Sequence, residues 1–111
     1  MDCIFCKMAT GEIPVKKLLD EQDFFVIRDI APQAPVHLLV IPKKHVASLS
    51  EARDDPNLLG VLLQGAAQAA DKSGLIEGYR TVINTGPNGG QTVMHLHIHV
   101  LGGKKLAEKM V

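Results

Sequence analysis

Apolar residues alternate with histidines near the end of the chain, in residues 95–101 (HLHIHVL). His95, His97 and His99 are three of the five histidines in the protein. Side chains of an extended strand point alternately to opposite faces of a sheet. The pattern therefore predicts a strand that presents all three imidazoles on one face and the intervening apolar side chains on the other.

Shorter apolar runs predict the other strands. Residues 17–20 and 24–29, separated by three polar residues, are typical of a β-hairpin. Residues 36–41 are bounded by prolines and predict a third strand, and residues 79–84 predict another that leads toward the histidines. The chain thus contains a run of strands, an interruption and two more strands.

The interruption carries the strongest helix signal. Asp55 is a suitable N-cap, Pro56 suits the first helical position, and Gly74 is a suitable stop. Leu and Ala recur between them at helical spacing and form one broad apolar face, which predicts packing on a sheet. Residues 4–9 predict a short helix that ends near Gly11. This order favours an α+β fold with an antiparallel sheet of about five strands, one long helix and a short N-terminal helix.

Composition limits the size and the partners of this fold. The 111 residues, 46% of them apolar, predict a single domain over 1–111. Twelve basic and twelve acidic side chains cancel, so no basic surface for nucleic acid or an anionic membrane is expected. The N-terminus lacks a signal-peptide pattern and no apolar run could cross a bilayer, which predicts a cytoplasmic protein.

The three alternating histidines indicate chemistry, because imidazole can act as nucleophile, proton carrier or metal ligand. Positions two apart on a strand are separated by roughly 6.5 to 7 Å, so two neighbouring rings could share a metal but three could hardly do so. The three histidines must therefore have different roles. The alternatives are a catalytic metal site at the triad or a structural role for all three, which would need a partner for each buried ring.

Two further motifs lie outside the triad. The glycine-rich residues 86–92 lead into it, and their backbone N–H groups together with the Thr92 hydroxyl could bind a phosphate; the alternative is a simple turn. Cys3 and Cys6 form a Cys-x-x-Cys pair that is typical of a metal half-site or a redox pair in a reducing compartment. His37 and His45 are not explained by the periodicity of the triad.

These residues resemble the histidine triad (HIT) family, whose signature is His-φ-His-φ-His-φ-φ with φ apolar. Residues 95–101 match every position of that signature, and the similarity covers nearly the whole chain. The Gly-Gly-Gln before the triad and the Val-Leu-Gly-Gly at its end are similar to the Hint-like branch. The resemblance implies an antiparallel-sheet fold, a homodimer and no cofactor for catalysis.

The resemblance also implies an activity, the hydrolysis of purine nucleoside 5′-phosphoramidates to a nucleoside monophosphate and an amine. His97 would attack the α-phosphorus and form a covalent nucleotidyl-histidine that water then hydrolyses. His99 would hold a phosphate oxygen, and His37 would orient or relay protons.

The same resemblance implies a nucleotide site. Asp29 would accept hydrogen bonds from the ribose hydroxyls, and Asn84, Gly90 and Thr92 would bind or support the phosphate. An apolar base pocket would comprise Ile4, Phe5, Ile13, Ile27 and Ile30. Thr92 stands where Hint-like sequences often have serine, and residues 104–111 differ most from the family, which leaves the preferred amine open.

Some family members bind a structural zinc ion through positions that this chain fills with Cys3, Cys6, His45 and His95. Cys₂His₂ is a suitable tetrahedral ligand set for zinc. Two alternatives to the phosphoramidase remain open at this point. One is a dinucleoside polyphosphate hydrolase with the same His97 nucleophile, and the other is a non-catalytic nucleotide- or zinc-binding interaction module.

Overall fold

The computed structural model describes residues 2–109 and shows an α+β fold with one five-stranded sheet and two helices. The expected domain 1–111 and C-terminal segment 104–111 thus extend past the described residues, at Met1 and at positions 110–111. All neighbouring strands are antiparallel in the order β1-β2-β3-β5-β4, which confirms the predicted fold class. In chain order the elements are α1 (Ile4–Thr10), β1 (Leu19–Asp20), β2 (Phe24–Arg28), β3 (Val36–Pro42), α2 (Pro56–Lys72), β4 (Tyr79–Val82) and β5 (Ile98–Gly102).

The long helix α2 begins where the sequence predicts. The Asp55 side chain accepts a hydrogen bond from the backbone N–H of Leu58 at 3.2 Å, and Pro56 occupies the first turn, where no helical N–H partner is lost. The chain leaves the helix through Gly74, whose φ of +74° is easily adopted only by glycine. Among residues 2–109, neither helix has the length and apolar character that a membrane span requires.

The sheet has an apolar cluster on each face. The larger cluster lies between the sheet and α2, where Leu62, Ala66 and Ala69 are fully buried. The smaller cluster lies on the face covered by α1, where Phe5 packs with Phe25 and Ile27 of β2 and with two residues of β3. The histidine side chains lie on this second face, so α2 supports the sheet from behind the candidate site.

The regular strand β5 begins at Ile98, three residues later than the histidine pattern predicts. Its pairing with β3 ends where Val40 lies opposite Ile98. Two residues further along β3, Pro42 has no N–H to donate, and its carbonyl accepts a hydrogen bond from the His95 ring at 2.8 Å. Residues 95–97 therefore leave the ladder, although the alternation persists and their apolar neighbours still lie in the larger cluster.

Two glycines of α2 provide a matched test of the packing between this helix and the sheet. A Cβ added at Gly65 would lie 2.7 Å from the buried ring of Phe24, whereas one added at Gly60 would meet no atom within 4 Å. We expect Gly60→Ala to raise the free energy of unfolding by about 1 kcal/mol through helix propensity. Gly65→Ala should instead lower it by about 1 kcal/mol, because Phe24 must shift. Urea denaturation of both variants checks this, and equal effects would contradict the close approach.

Candidate active site

Sheet register brings His37 and His99 together. On β3 and β5, Leu39 lies opposite His99 and His37 lies opposite Leu101, so both imidazoles project from the same face in adjacent rows. Nε2 of His37 lies 2.9 Å from Nδ1 of His99. The ring of His97 is also adjacent, with its centroid 5.1 Å from that of His99. The structure thus groups the three histidines for which the resemblance implies catalytic roles.

Hydrogen bonds determine which nitrogen of each neutral ring carries its proton. The backbone N–H of Gln33 donates to Nδ1 of His37 at 3.0 Å, so the proton of the neutral His37 ring is on Nε2. That Nε2–H donates to Nδ1 of His99, which places the proton of the neutral His99 ring on its own Nε2. The amide nitrogen of Asn84 lies 3.5 Å from this Nε2; because both atoms then carry protons, Asn84 can accept from the ring only when its amide oxygen is turned toward Nε2. His99 therefore presents an N–H donor on the side that faces Asn84.

His97 has the opposite arrangement. Its Nδ1–H donates to the backbone carbonyl of His95 at 2.7 Å, which leaves Nε2 as the unprotonated nitrogen. The edge of the Phe5 ring packs against the imidazole with 5.2 Å between centroids, and His97 is only 8% exposed. The ring is therefore held in one orientation with a free lone pair, as a nucleophile requires.

Asp29 lies beside His37. Its Oδ2 atom is 3.4 Å from Nε2 of His37, and its Oδ1 atom accepts a hydrogen bond from the N–H of Ala31 at 2.9 Å. Asp29, His37 and His99 have side-chain atoms that all lie within 4.8 Å of one another. The carboxylate predicted to contact ribose thus also faces the histidine pair, and its negative charge favours a proton there.

Burial, together with the nearby His97 and His37 rings, lowers the pKa of His99 to about 4, against the raising effect of Asp29. The unfolded ring, with a pKa near 6.5, binds more protons than the folded ring between these two values, so unfolding becomes easier as pH falls through this window. We expect His99 to contribute about 2 kcal/mol to the loss of stability between pH 7 and pH 5. Urea denaturation at both pH values should show a correspondingly smaller loss for His99→Gln, and an equal loss would contradict the low pKa.

The predicted phosphate loop is held by a residue to which the sequence assigns no role. Gln91 is buried; its Oε1 accepts the N–H of Gly86 at 3.0 Å, and its Nε2 donates to the carbonyls of Ala47 and Val93 at 2.7 and 3.0 Å. Gly90, with φ of +80°, is exposed in the same loop. Gln91 therefore fixes the loop and leaves its glycines open to solvent.

The other predicted binding residues fall into two groups. Phe5 and Ile27 are buried in the smaller apolar cluster, and Ile13 is half-buried. Ile4 is 45% exposed, and Ile30, next to Asp29, is fully exposed. Thr92 is also exposed and lines an open cleft together with Ile4 and His45. Phe5 and Ile27 thus share one apolar cluster, whereas Ile4 and Ile30 lie at the surface, and the base pocket stays a prediction.

A second constellation contains Cys3, Cys6, His45 and His95, whose ligand atoms all lie within 4.8 Å of one another. Nδ1 of His95 is 3.2 Å from Sγ of Cys3, 3.6 Å from Sγ of Cys6 and 3.1 Å from Nδ1 of His45. A tetrahedral zinc ion bound to two sulfurs and two nitrogens separates its ligand atoms by roughly 3.3 to 3.8 Å. The residues present therefore form a cluster with the donor types and spacing for a metal ion.

The surroundings of this Cys/His cluster also suit a cation. Nε2 of His95 donates to the carbonyl of Pro42, so the lone pair of Nδ1 points toward the sulfurs. Burial lowers the pKa of His95, which keeps its ring neutral. Burial and the adjacent Cys3 sulfur raise the pKa of the Cys6 thiol, because two thiolates repel each other without a cation between them.

His99 thus belongs to the group that contains Asp29 and His37, whereas His95 belongs to the Cys/His cluster. His97 lies between these two histidines in the sequence. Sequence reasoning missed two contributors, the Gln33 backbone N–H and the Gln91 amide. A main-chain donor leaves no trace in residue type, so nothing could have indicated Gln33. A polar Gln beside a glycine-rich loop was the only signal for Gln91.

Comparison with known proteins agrees with this geometry. The sequence profile of the HIT domain matches residues 10–106. The chain belongs to the HIT family. An uncharacterized HIT-like protein of Synechococcus elongatus is 55% identical over 107 residues, which cover 96% of this chain and 94% of that protein.

Solved HIT structures share the whole fold. A HIT family hydrolase from Legionella pneumophila superposes with a TM-score of 0.92 at 46% identity, covering 96% of this chain and 97% of its own. A histidine triad protein from Clostridium difficile gives a TM-score of 0.93 at 40% identity, covering 99% and 97% of the two chains. The similarity of this HIT protein to a HIT family hydrolase supports hydrolase chemistry in general.

Proposed function

We propose that the protein hydrolyses the P–N bond of purine nucleoside 5′-phosphoramidates through a covalent nucleotidyl-histidine. The observation that carries this proposal is the state of His97, whose Nδ1–H is bound to the His95 carbonyl while Nε2 stays free. The ring of His99, whose centroid lies 5.1 Å from that of His97, has an N–H donor of its own. A nucleophile next to a hydrogen-bond donor is the arrangement that phosphoryl transfer requires.

In the first step, Nε2 of His97 forms a bond to the α-phosphorus and the P–N bond breaks. The imidazole becomes a phosphorylated cation, which its Nδ1–H bond to the His95 carbonyl stabilises. The Nε2–H of His99 donates to a non-bridging phosphate oxygen as negative charge shifts onto it. The leaving nitrogen keeps the electron pair of the broken bond and takes up one proton.

The His37–His99 pair is the proposed carrier of that proton. The two rings share a hydrogen bond of 2.9 Å, and the Asp29 carboxylate 3.4 Å from His37 stabilises the pair when it holds an additional proton. In the second step, water attacks phosphorus, the bond to His97 breaks, and the water gives up one proton. This proton replaces the one that left with the amine, so the two steps balance.

The nucleoside is proposed to lie over β2, with its base on the apolar cluster that contains Phe5 and Ile27. Asp29 follows β2 and is half-buried, so one of its oxygens can accept hydrogen bonds from the ribose hydroxyls while the other faces His37. Gly90 and Thr92 are exposed in the loop that precedes the histidines, and this exposure supports the proposal that their backbone and hydroxyl donors bind the phosphate.

We also propose that Cys3, Cys6, His45 and His95 hold a structural zinc ion, as their donor types and spacing support. A bound zinc ion would cross-link α1, the segment after β3 and the start of the histidine segment.

We further propose a homodimer, because β4 is an edge strand whose outer side has no partner within residues 2–109. Sedimentation velocity at micromolar concentration tests this, and a purely monomeric protein would contradict it.

The proposed reaction is tested by trapping its intermediate. The protein is mixed with adenosine 5′-phosphoramidate, quenched in denaturant within one turnover and digested for mass spectrometry. An adenylyl group is expected on His97. Steady-state rates on the phosphoramidate and on a diadenosine polyphosphate then identify the preferred bond. Faster cleavage of the polyphosphate would identify a dinucleoside polyphosphate hydrolase instead of a phosphoramidase. If neither compound is cleaved, the protein is a binding module and not a hydrolase of these compounds.

A further inference from the structure

We infer that the protein prefers phosphoramidates whose leaving amine carries a negative charge, and that Arg80, Lys104 and Lys105 recognise this charge. The inference rests on the proposed function, because it concerns the group that departs when the P–N bond breaks. It concerns the C-terminal segment that differs most from the family. Three features carry it: the place of Arg80 on the sheet, the direction of the substrate and the charge of the neighbouring cleft.

Arg80 projects from the catalytic face of the sheet. It lies opposite Leu101, which lies opposite His37, so these three residues form one row across β4, β5 and β3. In the next row, Val82 lies opposite His99. Residues in one cross-strand row share a face of the sheet, so Arg80 is on the same side as the histidine pair and two strands away from His37.

The strand order gives the direction of a bound substrate. The groups proposed to hold the nucleoside, Asp29 and Ile27, belong to β2 and its end, and His99 is on β5. In the sheet order, β4 lies on the opposite side of β5 from β2. In an in-line displacement the entering and leaving groups lie on opposite sides of phosphorus. The entering group is His97, which precedes His99 along the chain, so the amine lies on the far side of phosphorus from His97, toward the row of His37, Leu101 and Arg80. A nucleoside seated over β2 leaves the β4 side of this row open.

The cleft at this side of the sheet is cationic. Gln33, Arg80, Lys104, Lys105 and Glu108 line it, and Gln33 is the residue whose backbone N–H binds His37. The guanidinium of Arg80 donates to the backbone carbonyl of Ala107, which holds the C-terminal segment beside β4 without neutralising the charge.

Acidic neighbours do not cancel this charge. Glu108 lies in the same cleft, and Glu77 borders Lys104 and Lys105 in the adjoining one. Within residues 2–109, however, no carboxylate oxygen forms an ion pair with any of the three cations, whereas Lys7, Lys17, Lys43 and Lys44 all have such partners. Three cations thus remain available to a carboxylate or phosphate on the leaving amine. This anion stays unchanged through the reaction and contributes binding energy away from the reacting bond.

The test compares two adenosine 5′-phosphoramidates whose leaving amines have the same carbon chain and differ in the charge of the group at its far end. One contains β-alanine, which ends in a carboxylate, and the other contains β-alanine amide, which is neutral. We expect the native protein to favour the carboxylate substrate by about 5- to 10-fold in kcat/KM at low ionic strength, and less when salt is added. In Lys104→Ala/Lys105→Ala the ratio should fall toward 1, and in Lys104→Glu/Lys105→Glu it should fall below 1.

Lys16→Ala is the matched control, because Lys16 is an exposed lysine in the segment before β1, distant in sequence from this cleft. It should keep the native ratio. A native ratio near 1, or a ratio unchanged by the charge-reversed variant, overturns the inference while the turnover of both compounds upholds the proposed reaction. If the native protein cleaves neither compound and forms no adduct on His97, the proposed reaction itself is wrong.

Discussion

Replacing His97 with alanine is expected to reduce kcat for adenosine 5′-phosphoramidate by about 10⁴-fold or more, since the variant loses the atom that bonds to phosphorus. The loss in free energy of unfolding should be much smaller than the loss in transition-state stabilisation, because the lost contacts are edge packing with the Phe5 and His99 rings and one hydrogen bond to a backbone carbonyl. Single-turnover kinetics measure the first quantity and urea denaturation measures the second. The adenylyl adduct should also disappear from the quenched digest.

A comparison with His99→Gln separates a nucleophile from a group that assists it. Gln retains a donor near the phosphate oxygen but cannot pair with His37 as imidazole does, so we expect a loss of about 10²- to 10³-fold with the adduct still formed. Gly60→Ala, on the solvent side of α2, should keep the native rate. Turnover by His97→Ala within tenfold of the native rate would eliminate the covalent mechanism.

The fold was largely predictable because its signals are local. The period of two near the histidines, the prolines around residues 36–41 and the Asp55-Pro56 start of α2 each act through a few neighbouring residues, and all three agree with the structure. The start of β5 was not predictable in this way. It depends on Pro42, a residue of another strand whose missing N–H and occupied carbonyl end the ladder before His95.

The two constellations depend on contacts between segments that are distant in sequence. Spacing on one strand indicated that three histidines could not share one role, but it did not show which partners each would find. Cys3 and His95 are 92 positions apart, and His37 and His99 are 62 apart. Only the register of β3 with β5, and the packing of α1 on the sheet, bring these pairs together.

Proton positions were beyond sequence reasoning for a further reason. They depend on the backbone N–H of Gln33 and the backbone carbonyl of His95. Every residue type has such a carbonyl and every type except proline has such an N–H, so residue identity does not reveal these partners. The sequence shows which residues carry an imidazole, whereas hydrogen bonds to the main chain determine which ring nitrogen lacks a proton. This is why the family resemblance could assign roles to His97 and His99 while the structure was needed to give each role a physical cause.

Loss of the proposed zinc ion from the Cys/His cluster is expected to lower the stability of the protein strongly. Metal analysis of protein purified without chelator should give about one zinc ion per chain, and Cys6→Ser with His45→Gln should give less than a tenth of that. We expect the free energy of unfolding to fall by at least about 3 kcal/mol in this variant, because zinc bound only by the folded chain stabilises it. Native protein treated with a chelator should lose stability to a similar extent, and zinc should restore it.

Catalysis should weaken together with stability, because His95 of the Cys/His cluster also holds the ring of His97 through its backbone carbonyl. The His95 ring would bind zinc through Nδ1, while the backbone carbonyl of the same residue holds the Nδ1–H of His97 at 2.7 Å. A shift of His95 would therefore turn the ring of His97, the proposed nucleophile. In the Cys6→Ser/His45→Gln variant we expect kcat to fall by a larger factor than KM rises, even at temperatures where circular dichroism shows the variant to be fully folded. Gly65→Ala serves as the control, since it destabilises the opposite face of the sheet and should leave kcat unchanged below its melting range. An unfolding midpoint that does not respond to the chelator, in protein with less than half a zinc ion per chain, would mean that the four residues stabilise α1 through hydrogen bonds alone.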